Sequence, residues 1–408
     1  MNKTETASSP IPALSTPNPA RVGAIDILRA LTMVLMIFVN DLWSLENIPA
    51  WLEHVPQGVD GIGLADVVFP AFLFIVGMSL PFAIDNRRKK GDTDRQLVGH
   101  VLFRSLGLLT MGLFLVNGES INAEATGIPR LLWNVLSCLS FILIWNLYPK
   151  TAPKALVVGL KTVGWLTLLV LAFLYRGGED DQTTRFETHW WGILGLIGWS
   201  YLVAALVTVF ARNRIGVLVA AWLGFAALSL IAHASLLPDA VDFIPGAIRN
   251  GTLVGLSMGG VVIATLFQYY RKKADNRQMT LLFLATALAL VGLSVLTRPY
   301  WGLAKLGETP AWLFLCSAFT LLAFTLIYWI ADVWGQSRWF SFIKPAGTDT
   351  LLCYLIPYFA YATTYFLGIS IPSFLLNGGM GLLKSFLFAL LCVWITGLLG
   401  KAGVRLKL

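Results

Sequence analysis

Between positions 40 and 66 the chain carries an amide, an imidazole and two carboxylates: Asn40, Asp41, His54 and Asp66. A side-chain amide can donate to a carbonyl oxygen on which charge develops, and an imidazole can take a proton near neutral pH. A carboxylate can hold that imidazole in one orientation. Donor, base and orienting group are the constellation that acyl transfer needs. Each residue also has a structural reading. An amide at the end of a helix can cap it. A carboxylate in the first turn, as at Asp66, is favoured by the free N–H groups there. A lone loop histidine is commonly solvated. Asp26 and Arg29 are three apart and share a helix face. They read either as a local ion pair or as a gate or phosphate contact beneath a core pocket. Of the other histidines, His100 adjoins a basic stretch, where it can meet a phosphate or solvent. His189 precedes Trp190 and Trp191, an interfacial aromatic belt, and His233 reads as a bundle residue. Cys138, Cys316, Cys353 and Cys392 lie in apolar runs without CxxC spacing or a nearby histidine. They read as small buried hydrophobes, with no disulfide framework and no metal site.

The elements that must position these residues are set by an unusual composition. Of 408 residues, 57% are hydrophobic and 13% charged, and mean hydropathy is +0.72. Ordinary soluble domains are about 25% charged. Too little polar surface remains to cover a soluble fold, which excludes a soluble enzyme, a nucleic-acid-binding module and a disordered chain. A spanning helix needs about 20 mostly apolar residues. Twelve runs qualify, near 24–42, 62–84, 98–117, 128–148, 155–175, 190–210, 215–236, 250–270, 279–297, 310–331, 349–369 and 381–400. The expected fold is therefore an all-α integral membrane protein, a polytopic bundle of about twelve helices. It falls to ten or eleven if the weaker runs at 155–175, with Lys161 and Gly164, and at 279–297 do not span. Residues 1–20 are Ser/Thr/Pro-rich without an apolar core. They are expected to form a disordered cytoplasmic tail rather than a secretory signal, ahead of a single transmembrane domain over 21–408.

Charge alternates between successive loops. One set holds Arg87, Arg88, Lys89, Lys90 and Arg95, then Lys150 and Lys154, Arg212 and Arg214, Arg271, Lys272, Lys273 and Arg277, and finally Lys401, Arg405 and Lys407. The other holds Asp41, Glu46, Glu53, Asp60, Glu119, Glu124, Glu179, Asp180, Asp181, Glu187, Asp239, Asp242 and Glu308. Lysine and arginine favour the cytoplasmic side. Both termini are accordingly expected in the cytoplasm, with loop 42–61 outside. The net charge of +8 reflects this anchoring. No repeat of 20–50 residues and no matched pair of Gly/Pro-broken segments stands out. Without a soluble catalytic domain, any chemistry belongs to the helices and their short loops.

The series Asp26-x-x-Arg29, an apolar run, Val39-Asn40, His54 and Ala65-Asp66-x-Val-Phe-Pro70 resembles the transmembrane acetyltransferases related to heparan-α-glucosaminide N-acetyltransferase. Arg104-Ser105 and Val116-Asn117 are similar to the family's third helix. Lys305…Thr309-Pro-Ala-Trp312, Tyr328-Trp-Ile-Ala-Asp332 and Phe342-Ile-Lys-Pro-Ala-Gly347 resemble its bacterial branch. The likeness covers the first four helices and the last five; residues 150–240 are less distinctive. Where family members often read Ile-Pro-x-x-Leu-Gln-Arg, this chain reads Ile128-Pro-Arg-Leu-Leu-Trp133-Asn134. The Gln-Arg pair is absent. Arg130 is either a replacement for it or an interfacial anchor.

The resemblance implies a bacterial plasma-membrane acyltransferase. Its co-substrate would be acetyl-CoA, with no metal, and its acceptor a glucosamine-type saccharide amine or hydroxyl. It implies His54 and Asn40 as catalytic residues. Asp66 would orient the imidazole or hold the acceptor. Arg29, Arg104 and Lys344 are candidates for the CoA phosphates, or else snorkelling cations. Asp41, Trp51 and Lys305 are candidates for acceptor contacts. His54 acts as a general base in direct transfer, or as a nucleophile through an acetyl-imidazole. Membrane lipid is an expected partner, nucleic acid is not, and a homodimer is possible. Twelve helices with both termini inside also suit a transporter or flippase for a sugar or lipid-linked sugar.

Overall fold

The computed structural model describes residues 23–179 and 182–408. The tail expected over 1–20, and Asp180 and Asp181 of the acid-rich set, lie outside the described residues. Twelve long helices occupy the twelve apolar runs. They are α1 (Gly23–Asp41), α2 (Leu64–Lys89), α3 (Asp94–Glu119), α4 (Arg130–Trp145), α5 (Lys154–Leu174) and α6 (Gly192–Ala211). Then come α7 (Ile215–His233), α8 (Thr252–Lys273), α9 (Asn276–Trp301), α10 (Pro310–Tyr328), α11 (Thr350–Phe366) and α12 (Gly378–Lys401). Among the described residues, ten are long and apolar enough to cross a membrane, so the protein is an all-α, multi-pass membrane protein. The other two are α4, of 16 residues, and α11, of 17. The run near 279–297, short by hydropathy alone, belongs to the 26-residue α9. Asp275 caps its start by accepting from the Gln278 N–H at 2.9 Å.

In lipid every backbone N–H and C=O must be satisfied within the chain, which makes these apolar runs helical. Association between helices then rests on close packing and a few buried polar contacts. The centre of the bundle is the crossing of α2 and α8. A Cβ at Gly77 would stand 1.8 Å from the Ser257 carbonyl oxygen, and one at Gly260 1.9 Å from that of Phe74. No side chain fits either position, so the two backbones touch. Ser257 Oγ donates across the crossing to the Leu73 carbonyl at 3.2 Å, and Ser200 Oγ joins α6 by donating to the Leu253 carbonyl at 2.8 Å. A second crossing, α3 on α6, depends on Gly112, whose Cβ would lie 2.3 Å from the Gly195 nitrogen. By contrast α5 and α7 keep most of their surface for lipid.

Two segments on the side of the acid-rich loops frame the region around His54. Residues 42–63 form a strap. At one end the Glu46 N–H donates to the Leu376 carbonyl and the Gly378 N–H to the Glu46 carbonyl, both at 2.9 Å. At the other, the Gly61 N–H donates to the Leu303 carbonyl at 2.9 Å, and Asp60 accepts from Leu303 N–H and Arg298. The loop 302–309 is held by His233 against the Gly307 carbonyl (2.9 Å) and by Thr252 Oγ1, which donates to the Glu308 carbonyl (2.7 Å). Glu308 sits in the left-handed region with φ 50°. Its Oε2 is sealed from solvent without a hydrogen-bond partner. Burial pushes its carboxyl up from the usual 4.5 to about 7, against the opposing pull of Asn250 and His233.

Gly77→Ala should lower the thermal midpoint of the detergent-solubilised protein, an overpacking cost of about 1–3 kcal/mol or more. Gly159→Ala, on the lipid-facing α5 with open space around it, should leave the midpoint unchanged. Equal midpoints for the two would remove the α2–α8 contact as a structural determinant. Glu308 generates a pH dependence of definite sign. Because its folded pKa is raised, its stability contribution is present in full below about pH 4.5 and is lost as pH rises through about 7. The stability difference between wild type and Glu308→Gln, followed across that window, should therefore move in favour of the variant as pH rises.

Candidate active site

Asp66 occupies the third position of α2 and is buried. Its Oδ2 accepts from the Gly63 and Val55 N–H groups, each at 3.0 Å, so it caps the helix and fastens the strap at once. Its Oδ1 lies 2.7 Å from His54 Nδ1. An ionised carboxylate only accepts, so Nδ1 carries the proton between them, which leaves Nε2 as the ring nitrogen available to a substrate. The His54 side chain is 46% exposed and that of Asp66 2%. The imidazole can meet a substrate; the carboxylate behind it can only orient. From the α9–α10 loop, Lys305 Nζ stands 3.3 Å from Nδ1 and 3.4 Å from Nε2. Desolvation lowers the Lys305 pKa, and the Asp66 charge opposes that shift. The Trp312 indole donates to the Asp66 backbone carbonyl at 2.9 Å and ties α10 to the same turn.

At the opposite end of the bundle lies a cavity of about 360 Å³. Arg29, Arg87, His100, Arg104 and Lys407 line it, all from the side of the basic loops. Arg29 keeps its pairing with Asp26 (3.1 Å) and also donates to the Gly347 carbonyl and Ser79 Oγ. The ion pair of the first sequence reading is present, and Arg29 also lines the cavity. Arg104 stacks over the Tyr201 ring, 4.7 Å from its centroid. Lys344 does not line the cavity. It is exposed on the short helix Lys344–Thr348, whose Gly347 packs against the Asp26 backbone instead. Arg87 and Lys407, which the sequence reading did not single out, line it. Nothing in their own stretches of sequence distinguishes them from membrane anchors.

Asn40 lines a second cavity of about 180 Å³, with Glu119, Tyr354 and Tyr358. The two spaces are neighbours, with Ile193, Leu194 and Tyr354 lining both. Among the described residues no hydrogen bond joins Asn40 to His54, although both lie on the side of the acid-rich loops. Asp41, expected to touch an acceptor, is buried and saturated. It accepts from Tyr361 Oη (2.9 Å), Lys384 Nζ (2.7 Å) and Ser385 Oγ (2.6 Å), which clamps α1 to α11 and α12. Such a filled carboxylate is structural, because removing one partner would strand a charge in a low dielectric. Trp51 is 66% exposed on a single 3-10 turn of the strap. Of the other histidines, His100 lines the basic cavity, His189 lies 3.6 Å from Glu187, and both ring nitrogens of His233 face backbone carbonyls.

Residues 21–174 match the family model described as "Heparan-alpha-glucosaminide N-acetyltransferase, catalytic". That range holds α1 to α5, with Asn40, His54, Asp66 and Glu119. It does not reach the later blocks around Lys305 and Phe342. The heparan-alpha-glucosaminide N-acetyltransferase of Homo sapiens is 25% identical over 178 residues, 39% of this chain and 26% of its own length. That of Mus musculus is 32% identical over 175 residues, 38% of this chain and 25% of its own length. The likeness thus spans about a quarter of these relatives. Over residues 21–174, which carry the imidazole–carboxylate pair and the basic cavity's arginines, this membrane protein is similar to the catalytic region of the heparan-alpha-glucosaminide N-acetyltransferases.

Proposed function

We propose that the protein is a transmembrane acetyltransferase that moves an acetyl group from acetyl-CoA to a saccharide amine or hydroxyl. One observation carries this reading: a basic cavity on one side of the bundle and a pocket at Asn40 nearer the other share Ile193, Leu194 and Tyr354 as walls. Acetyl-CoA phosphates cannot enter lipid without countercharge. Arg29, Arg87, His100, Arg104 and Lys407 supply positive or protonatable groups at one end. Arg29 and Asn40 are eleven positions apart on α1, about 16 Å along its axis. That separation suits an extended pantetheine arm between nucleotide and thioester. The family match of residues 21–174 supports the same chemistry. The comparisons lend no support to the transporter or flippase reading.

In this mechanism the Asn40 amide donates to the thioester oxygen, where charge develops. His54, held by Asp66, takes a proton from the attacking acceptor through Nε2, and Lys305 stands where it can support the imidazole. The alternative, nucleophilic His54, uses the same exposed nitrogen. The reading places all twelve helices in the membrane, both termini in the cytoplasm of a bacterial cell and the strap outside. Loop charge supports that orientation.

His54→Ala should lower acetyl transfer by about 10²–10⁴-fold, and Asn40→Ala by about 10²–10³-fold. Both should retain acetyl-CoA affinity by calorimetry, whereas Arg104→Ala should weaken it. His54→Ala at the wild-type rate would sink the assignment of the base. For orientation, single cysteines at Gly91 and Asn276 should be protected from an impermeant reagent in intact cells and one at Gly178 labelled. The inverse pattern would place the basic cavity outside and remove its access to cytoplasmic acetyl-CoA.

A further inference from the structure

The smaller cavity, at Asn40, holds a carboxylate that the His54–Asp66 pair leaves unused. Glu119 is the last residue of α3 and lines the smaller pocket with Asn40, Tyr354, Tyr358 and Gly192. No lysine, arginine or histidine is among the described residues lining that pocket. Trp190, Arg130 and His189 lie near its carboxylate. Gly192 has a left-handed backbone (φ 67°), and a Cβ there would meet the Gly112 carbonyl at 2.9 Å, so α6 starts in close contact with α3 beside the pocket. The pocket itself, about 180 Å³, has room for a small polar molecule.

The chemistry of an amine acceptor gives this carboxylate a task. A sugar amine at neutral pH is mostly an ammonium, which has no lone pair and cannot attack a thioester. It needs an anion to hold it and a group to take its first proton; a hydroxyl acceptor needs neither. We propose that the pocket between Asn40 and Glu119 is the subsite for the primary ammonium of an amino sugar, with Glu119 as counter-ion and first proton acceptor. This rests on the acetyl-transfer reading above. In the balanced sequence, the ammonium passes one proton to the Glu119 carboxylate and becomes a free amine. The nitrogen lone pair then bonds to the thioester carbon, and the C–S electron pair leaves with sulfur. The second nitrogen proton passes to His54 and from there to the CoA thiolate, which departs as the thiol. Glu119 returns its proton to solvent.

The test uses the full chain in lipid nanodiscs, with glucosamine as probe and N-acetylglucosamine, which lacks the ammonium, as control. Calorimetry should detect glucosamine and not N-acetylglucosamine. Glu119→Gln should weaken glucosamine binding by about 10- to 100-fold, the worth of a charge-assisted hydrogen bond, with acetyl-CoA affinity unchanged. Glu119→Asp, which keeps the charge, should bind between the two. Transfer by Glu119→Gln should recover as pH rises and the free amine becomes abundant, a response that a packing defect would not produce. Equal glucosamine affinity in wild type and Glu119→Gln overturns the subsite, as does equal binding of the two sugars or no glucosamine binding by wild type. If glucosamine binds through Glu119 yet no acetyl group is transferred from acetyl-CoA, the subsite stands and the acetyltransferase reading fails.

Discussion

The contact between α2 and α8 at Gly77 and Gly260 is the constraint from which the functional geometry follows. Neither position can carry a Cβ, since Ser257 and Phe74 backbone oxygens already occupy that space. Helices in lipid gain nothing from burying apolar surface against one another, so close backbone approach and buried hydroxyl contacts must hold them. The crossing fixes the height and rotation of α2, whose two ends serve two different places. Its first turn carries Asp66, and its later turns carry Ser79 and Arg87 on the wall of the basic cavity. A change in the crossing would therefore disturb the imidazole at one end and the cavity cations at the other together.

Asp41 and Asp66 are buried carboxylates with assigned partners, whereas Glu308 Oε2 has none. Asp41 is surrounded by Tyr361, Lys384 and Ser385 and holds three helices at the end of the bundle that carries the acid-rich loops. Asp66 is filled by His54 and two backbone N–H groups. Both are expensive to bury and costly to leave with a partner missing, so each specifies one arrangement of the segments it touches. The Asp332 carboxylate does comparable work at the end with the basic loops, where its Oδ2 accepts from the Ala24 N–H at 2.9 Å and caps α1. Glu119 and the cavity arginines line space that a ligand can enter, while Arg29 also keeps its bonds to Asp26, Gly347 and Ser79.

The strap of residues 42–63 links these levels. It leaves α1 just after Asn40 and Asp41, is held at the start of α12 and beside Leu303, and enters α2 at Asp66. The position of His54 is thus set by hydrogen bonds at both ends of an irregular segment rather than by a helix of its own. Lys305 arrives from a loop that His233 and Thr252 pin through backbone carbonyls. The imidazole is accordingly sensitive to three separate parts of the bundle while remaining exposed to solvent.

Much of this was legible in the chain. Apolar runs of about 20 residues must become helices in a bilayer, and all twelve did, because backbone hydrogen bonding leaves no alternative there. The pairing of His54 with Asp66 was also within reach of sequence, since the strap is short and its two ends are fixed by the helices it joins. Tertiary structure alone decided the rest. The approach of Lys305 to His54 crosses 251 positions of sequence, and no local pattern encodes it. Asp41 and Asn40 are neighbours, yet one points into a clamp of α11 and α12 and the other into a cavity, because adjacent residues on a helix face different partners. Lys344 and Lys407 look alike as terminal or loop cations, and only packing places the second on the cavity wall and leaves the first outside it. Local periodicity fixes which segments are helical; the meeting of side chains from distant helices depends on how those helices cross, and that is set by contacts such as Gly77 on Ser257, which sequence spacing does not reveal.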